Sequence, residues 1–225
     1  FIGGALVERL VVRPVENKPP LNAVIVTFGL LILLEAIAGM IWGENARSLP
    51  AHFSIRGLHV GGTTIALAPF DIFVISSVVV VTILLAVLFR ATNVGLRMRT
   101  AAFQPEVARL LGVRVGRMLT LGWALASLVG ALAGVLVAPK LFLSPSMMEA
   151  PLVYGFTAAV IGGLDSPAGA VVGGLLLGIA LSYVGGYLGS SRGSDLTSLV
   201  ALGILVVVLM VRPDGLFSGA RMRRV

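Results

Sequence analysis

Six runs of apolar residues, almost free of charge, decide what this chain can become. They cover roughly Asn22–Trp42, Ala66–Phe89, Met118–Val137, Pro151–Leu164, Ala168–Leu188 and Leu196–Val211. About 20 apolar residues in a helix span the ~30 Å hydrocarbon core of a bilayer. In lipid, backbone N–H and C=O groups find no water, so such runs must satisfy their hydrogen bonds internally as helices. Strands of a transmembrane barrel would alternate apolar and polar residues, and these runs do not alternate. The expected fold is all-α: a polytopic transmembrane helical bundle of about six spanning helices. The fourth run is the shortest and ends in Gly162-Gly163, followed by Leu164-Asp165-Ser166-Pro167. That pattern suits a broken or re-entrant helix, and it also suits a short helix, a tight turn and the next helix.

Charge supports the membrane reading. Only 12% of the 225 residues are charged, against about a quarter in soluble domains. This excludes a disordered chain and an ordinary soluble enzyme. The absence of cysteine excludes thiol chemistry, a disulfide scaffold and thiolate-bound metal. The net charge of +7 reports orientation, because cytoplasmic loops carry the excess of Lys and Arg. With the segment before Asn22 inside, 13 of the 17 basic residues fall inside, including Arg90, Arg97, Arg99, Arg109, Arg114 and Arg117. Arg47, Arg56, Lys140 and Arg192 fall outside. Residues 90–117 and the C-terminus are then cytoplasmic, and no nucleic-acid partner is needed. The chain opens on Phe1 with an apolar stretch to Val7, which reads as the tail of a helix that starts earlier.

Between helices in lipid, close packing of small residues replaces the hydrophobic effect. Gly130 with Gly134, Gly169 with Gly173, and Gly174 with Gly178 have the four-residue spacing this requires. Such positions serve helix packing, and they also suit helices lining a path that widens and narrows.

The stretch 90–117 is patterned. Pro105 suits the first turn of a short helix, Glu106 suits its positive end, and Gly112 is a natural stop. Phe103, Val107, Leu110 and Leu111 fall at i, i+4, i+7 and i+8, one apolar face. Spacing leaves three readings open: a helix lying on the membrane surface, a structured loop, or a helix docking in a groove of a cytoplasmic partner.

Several chemistries are missing. The sequence has no G-x-x-x-x-G-K-[ST], and its lysines are Lys18 and Lys140, so it holds no nucleotide in the P-loop manner. His52 and His59 have no carboxylate cluster beside them, so no metal site is expected. No G-x-S-x-G appears. Glu35 lies within the first long run, about 20 Å along the helix from Asn22 at ~1.5 Å per residue. Intramembrane carboxylates face cavities or partners, or snorkel to the interface. Asp71 reads as a helix-start residue, and Trp42 as an interfacial anchor.

The order of motifs resembles the permease subunits of branched-chain amino acid ABC transporters, the LivH/LivM type. Glu8-Arg9 with Arg13-Pro14 is similar to that family's ER-x3-RP. Gly95, Arg99, Ala102 and Ala108-Arg109-Leu110-Leu111-Gly112-Val113 are similar to its cytoplasmic loop. Phe156-Thr157-Ala158-Ala159-Val160-Ile161-Gly162-Gly163, then Ser166, Gly169-Ala170 and Gly173-Gly174, is the most specific match. Arg212-Pro213-Asp214-Gly215-Leu216-Phe217 resembles its closing RP-x-GLF. Leu181 stands where many members carry an acidic residue, and Asp165 where Gly is frequent.

The resemblance implies a single permease domain over residues 1–225, lacking the family's first helices, in the inner (plasma) membrane. It implies a transport protein rather than an enzyme, moving branched-chain or related amino acids by alternating access. It implies a second permease, the same or homologous, and an extracytoplasmic substrate-binding protein. Two cytoplasmic ATPase subunits would hold ATP and Mg, leaving no cofactor in this chain. The 90–117 loop would carry the coupling helix, with Arg99, Ala102, Phe103, Glu106, Val107, Ala108, Arg109, Leu110, Leu111 and Gly112 toward the ATPase. Glu35, Phe156, Thr157, Gly162 and Gly163 are candidates for the translocation path. The rivals are an ion-coupled secondary carrier and a membrane scaffold subunit.

Overall fold

The apolar runs fold as helices. The computed structural model describes residues 1–15, 20–50, 54, 58–60, 63–65, 68–164, 166–187, 193–212 and 215. Lys18, His52, Arg56, Asp165, Arg192, Pro213-Asp214 and all residues after Gly215 lie outside the described residues. The chain divides into two compact units, Phe1–Pro145 and Ser146–Val225.

The first unit begins with α1 (Ile2–Val7), a π-helical turn (Glu8–Val12) and a 3-10 turn (Arg13–Val15). It continues through α2 (Pro20–Trp42), the antiparallel pair β1 (Leu58–Val60) and β2 (Thr63–Ile65), and α3 (Pro69–Ala91). Then come α4 (Asn93–Phe103), α5 (Pro105–Leu110) and α6 (Val115–Leu141). The small hairpin departs from an all-helical reading. Its strands flank Gly61-Gly62 in sequence, a hairpin-favouring pair, and β-branched residues supply strand preference.

The second unit holds α7 (Glu149–Gly162), α8 (Pro167–Tyr187) and α9 (Gly193–Val211). Here the shortest apolar run resolves as a helix, a turn and the next helix. Among the described residues four helices have the length and composition to cross a bilayer: Val24–Trp42, Pro69–Ala91, Val115–Leu141 and Pro167–Tyr187. Glu149–Gly162 and Leu199–Val211 are shorter apolar helices. The chain is an integral membrane protein built as a polytopic helical bundle.

One end of the first unit is fastened by polar contacts. Asp71 starts α3 by accepting the Ala68 N–H at 3.2 Å, and its other oxygen pairs with the Lys140 ammonium near the end of α6. That ammonium also lies 5.9 Å from the centroid of the Phe70 ring, a cation–π distance. Past α2, Arg47 exchanges two backbone hydrogen bonds with Leu143, at 3.0 and 2.8 Å. Its guanidinium donates to the Trp42 carbonyl at 2.8 Å. Phe142 takes φ +62° at the end of α6, turning Leu143 toward Arg47.

Two small apolar cores organise the units. In the first, Ala101, Ala108 and Val115 meet beneath Val113, Met118 and Leu119, tying α4, α5 and α6 together. In the second, Ala158, Ile161 and Leu177 meet beneath Tyr154, Leu181, Ile204 and Val208, tying α7, α8 and α9. Leu181 is therefore part of an apolar cluster.

Candidate functional site

The arginine-rich stretch is a two-helix elbow. Thr92 caps α4, its hydroxyl accepting the Gly95 N–H at 3.1 Å while bonding the Leu88 carbonyl at 2.5 Å. Gly95 allows α4 to fold back on α3, since a Cβ there would lie 2.7 Å from the Phe89 carbonyl. α4 stands where the spacing of apolar residues predicts no helix before Pro105. Gln104 breaks the helix at φ −141°, ψ 82°, because Pro105 disfavours the α conformation in the residue before it. Pro105 then opens α5 with Glu106 in the first turn. Phe103 thus ends α4, and the face expected to be one helix is shared by two.

α5 ends where Gly112 requires. Gly112 adopts φ +78°, its N–H bonds the Arg109 carbonyl at 3.0 Å, and the Val113 N–H bonds the Ala108 carbonyl at 2.9 Å. This pair of bonds is the Schellman closure, for which glycine suits the left-handed position.

The elbow is built inside out relative to a water-soluble helix pair. Ala108, 1% exposed, faces inward with Ala101 and Val115. Phe103 is 84% exposed, Leu110 87% and Leu111 74%. Val107 is also exposed, as are Arg99, Ala102, Glu106, Arg109 and Gly112. Between α4 and α5 lies a groove of about 300 Å³, lined by Leu96, Arg99, Thr100, Phe103, Gln104, Val107, Ala108 and Leu111. Burying one such side chain is worth about 1.5–3 kcal/mol. Three outward-facing large side chains therefore leave several kcal/mol for whatever covers them.

The second unit is closed by glycines. Gly162 packs against the backbone of Gly169 and Ala170, where any Cβ would collide. A Cβ at Gly173 would meet the Ala158 carbonyl and lie 2.9 Å from the Gly162 nitrogen. Gly163 turns the chain at φ +94°, and Gly215 at φ +83° seats on it; a Cβ at Gly215 would stand 2.7 Å from the Val160 carbonyl. The segments resembling the family's central and closing motifs thus meet here. Gly174 makes an ordinary 3.7 Å contact with Ala158. Gly130 and Gly178 have nothing within 4 Å, and Gly134 is half-buried.

The path candidates are divided between the units. Glu35 is half-buried on α2. Phe156 is exposed on α7, whereas Thr157 is buried and its hydroxyl donates to the Val153 carbonyl at 2.8 Å. Gly162 and Gly163 form the buried turn.

Two polar pairings escaped the sequence reading. Lys140 and Asp71 stand 69 positions apart, and their spacing gives no sign of the pair. Glu8 was read only as a motif letter, yet it is 1% exposed and accepts the Thr120 hydroxyl at 2.7 Å. A carboxylate directly after the apolar opening stretch is the available signal; its partner, 112 positions away, leaves none.

A family profile described as the branched-chain amino acid transport system permease component matches residues 1–209. The chain belongs to this permease family. It is 28% identical over 225 residues to the high-affinity branched-chain amino acid transport system permease protein LivH of Escherichia coli strain K12, covering 99% of this chain and 72% of that protein. It is 26% identical over 227 residues to BraD of Pseudomonas aeruginosa, a permease protein of the same description, with the same coverage. The xylose/arabinose import permease protein XylH of Sulfolobus acidocaldarius is 30% identical over 183 residues, 81% of this chain and 46% of that protein. No solved structure gives a significant match. The chain is a membrane permease subunit of the ABC-importer kind, and its relatives are transport proteins rather than enzymes.

Proposed function

We propose that this permease carries branched-chain or related amino acids inward by alternating access, with energy supplied by ATP and Mg bound in two separate cytoplasmic ATPase subunits. The names of its LivH and BraD relatives support the substrate class. The sugar permease among its relatives makes the substrate the part of the reading most open to test. The two units act as one permease domain over 1–225. A second permease, the same or homologous, completes the path, and an extracytoplasmic binding protein delivers substrate. α7 and α9 join the four longer helices to make about six spans.

One observation carries the coupling assignment: Phe103, Leu110 and Leu111 stand outside the elbow while Ala108 alone anchors α5 beneath. The surrounding arginines support a cytoplasmic side for this elbow and for the C-terminus. A helix presenting apolar anchors on a pinned base suits a groove in a partner. α5, with Arg99, Ala102, Glu106, Val107, Arg109 and Gly112 around it, is the ATPase contact. Glu35, Phe156, Thr157 and the Gly162-Gly163 turn remain the path candidates. A ligand moves a two-state equilibrium only through its differential affinity for the two states, so the path binds amino acid weakly and selection rests with the binding protein.

The test is reconstitution. The permease purified with its ATPase is placed in liposomes with the binding protein and radiolabelled leucine. Uptake that requires ATP and persists with a proton ionophore is expected. Uptake without ATP, abolished by the ionophore, would make this an ion-coupled carrier, and ATP hydrolysis without uptake of any amino acid would make it a scaffold.

A further inference from the structure

Among the described residues, the first unit buries one carboxylate that neither the proposed path nor the ATPase contact uses. Glu8 is 1% exposed, and its Oε2 accepts the Thr120 hydroxyl at 2.7 Å. The same hydroxyl lies 2.9 Å from the Gly116 carbonyl one turn earlier on α6, which holds its rotamer. The contact is one of three rungs between the opening segment, α1 with the two turns that follow it, and α6. On one side of it, Gly4 meets the Ser127 hydroxyl and the Trp123 carbonyl too closely for any Cβ. On the other, the Arg13 guanidinium lies over Gly116, 2.5 Å from where a Cβ would stand. The pairing of 4 with 123 and 127, 8 with 120, and 13 with 116 runs the two helices antiparallel.

Two facts give this ladder a direction. Its polar rungs, Gly116 and Thr120, lie in the first two turns of α6, which begins at Val115. Val115 is packed in one cluster with Ala108 of α5 and Ala101 of α4, so α5 and the start of α6 share a rigid base. On the facing side, Glu8 opens the π-helical turn Glu8–Val12. π-turns inserted in α-helices are rare and frequently lie at functional sites.

We infer that the Glu8–Thr120 hydrogen bond is a positioning link that carries displacement of α5, through the start of α6, into α1 and its π-turn. The inference rests on the reading of α5 as the ATPase contact. Glu8 and Thr120 touch neither substrate nor nucleotide; they determine whether work delivered at α5 reaches the rest of the first unit.

The experiment measures leucine molecules imported per ATP hydrolysed, in liposomes holding the assembled importer and its binding protein. Thr120→Val keeps the shape and removes the donor. It is expected to assemble with the ATPase in normal yield and to hydrolyse ATP normally while importing severalfold less leucine per ATP. Thr120→Ser, which restores the hydroxyl, is expected to restore the ratio. Glu8→Gln is the second variant, read the same way, with a smaller fall because the amide oxygen still accepts. An unchanged ratio in Thr120→Val, or loss of both Thr120→Val and Glu8→Gln from the membrane, overturns the link and leaves a structural contact. The Leu110→Asp, Leu111→Asp double variant is run beside them. If it imports leucine normally, the ATPase contact itself is misassigned. If it fails to import while Thr120→Val keeps its ratio, only the link is lost.

Discussion

The α4–α5 elbow and the α7–α8 hairpin solve opposite packing problems. The elbow turns Ala101 and Ala108 inward and Phe103, Leu110 and Leu111 outward. The hairpin puts no side chain at its closest contacts, where Gly162 meets Gly169 and Gly173 meets the Ala158 carbonyl. In lipid, helices gain little by covering apolar surface and much by backbone approach, so the hairpin is finished within its own unit. In water, exposed Leu and Phe are unspent binding energy, so on the proposed reading the elbow is completed by a partner. The same chain therefore carries bulk at one contact and none at the other.

That contrast breaks first at the elbow. The double change Leu110→Asp with Leu111→Asp removes two anchors worth about 3–6 kcal/mol together, at least ~100-fold in affinity. Amino-acid uptake is expected to vanish while membrane abundance stays at the parental level, checked by uptake assay and by quantitative blotting of the membrane fraction. Bulk in the hairpin should do the reverse. Gly173→Leu forces a side chain against the Ala158 carbonyl, an overpacking costing about 1–3 kcal/mol or more, and thermal unfolding in detergent should shift downward. Gly178→Leu, on the same helix with nothing within 4 Å, should leave the unfolding temperature where it was. If the two substitutions behave alike, close packing at the hairpin is not what holds the second unit.

Smaller effects sharpen the comparison. Gly112→Val places a β-branched residue at φ +78°, a strain of about 1–3 kcal/mol. It should loosen the exit of α5, seen as faster protease cleavage after Arg109 or Arg114 with the spanning helices intact. Asp71→Asn breaks the pair with Lys140, whose side chain is 49% exposed. Exposed pairs contribute no more than about 1 kcal/mol, so a barely measurable fall in thermal stability is expected, with uptake unchanged.

Local chemistry was legible where it was written in neighbouring residues. Pro105 and Gly112 bracket α5 because ring closure and positive φ act on the backbone at those positions alone. The apolar helices were legible because lipid leaves the backbone one way to bond, and four of them have the length to span. α4 was not read, because its arginines interrupt the apolar period even though Thr92 supplies an N-cap. The elbow's division at Gln104 also hid that Phe103 and Leu110 belong to different helices. The Glu8–Thr120 and Asp71–Lys140 pairings depend on which helices pack together, and spacing along the chain holds no record of that. Glycine spacing was a partial guide: it marked Gly169 and Gly173, which touch backbone, and equally Gly130 and Gly178, which face open space.

The most direct measurement uses the absence of cysteine from the chain. Leu110→Cys gives one thiol at the tip of α5, and a membrane-impermeant maleimide reports its exposure in inside-out vesicles. With the ATPase subunits assembled, labelling should be strongly suppressed, and stripping them should restore it. Equal labelling with and without the ATPase would mean that the outward face of the elbow stays in water while the transporter works, and the coupling assignment would be wrong.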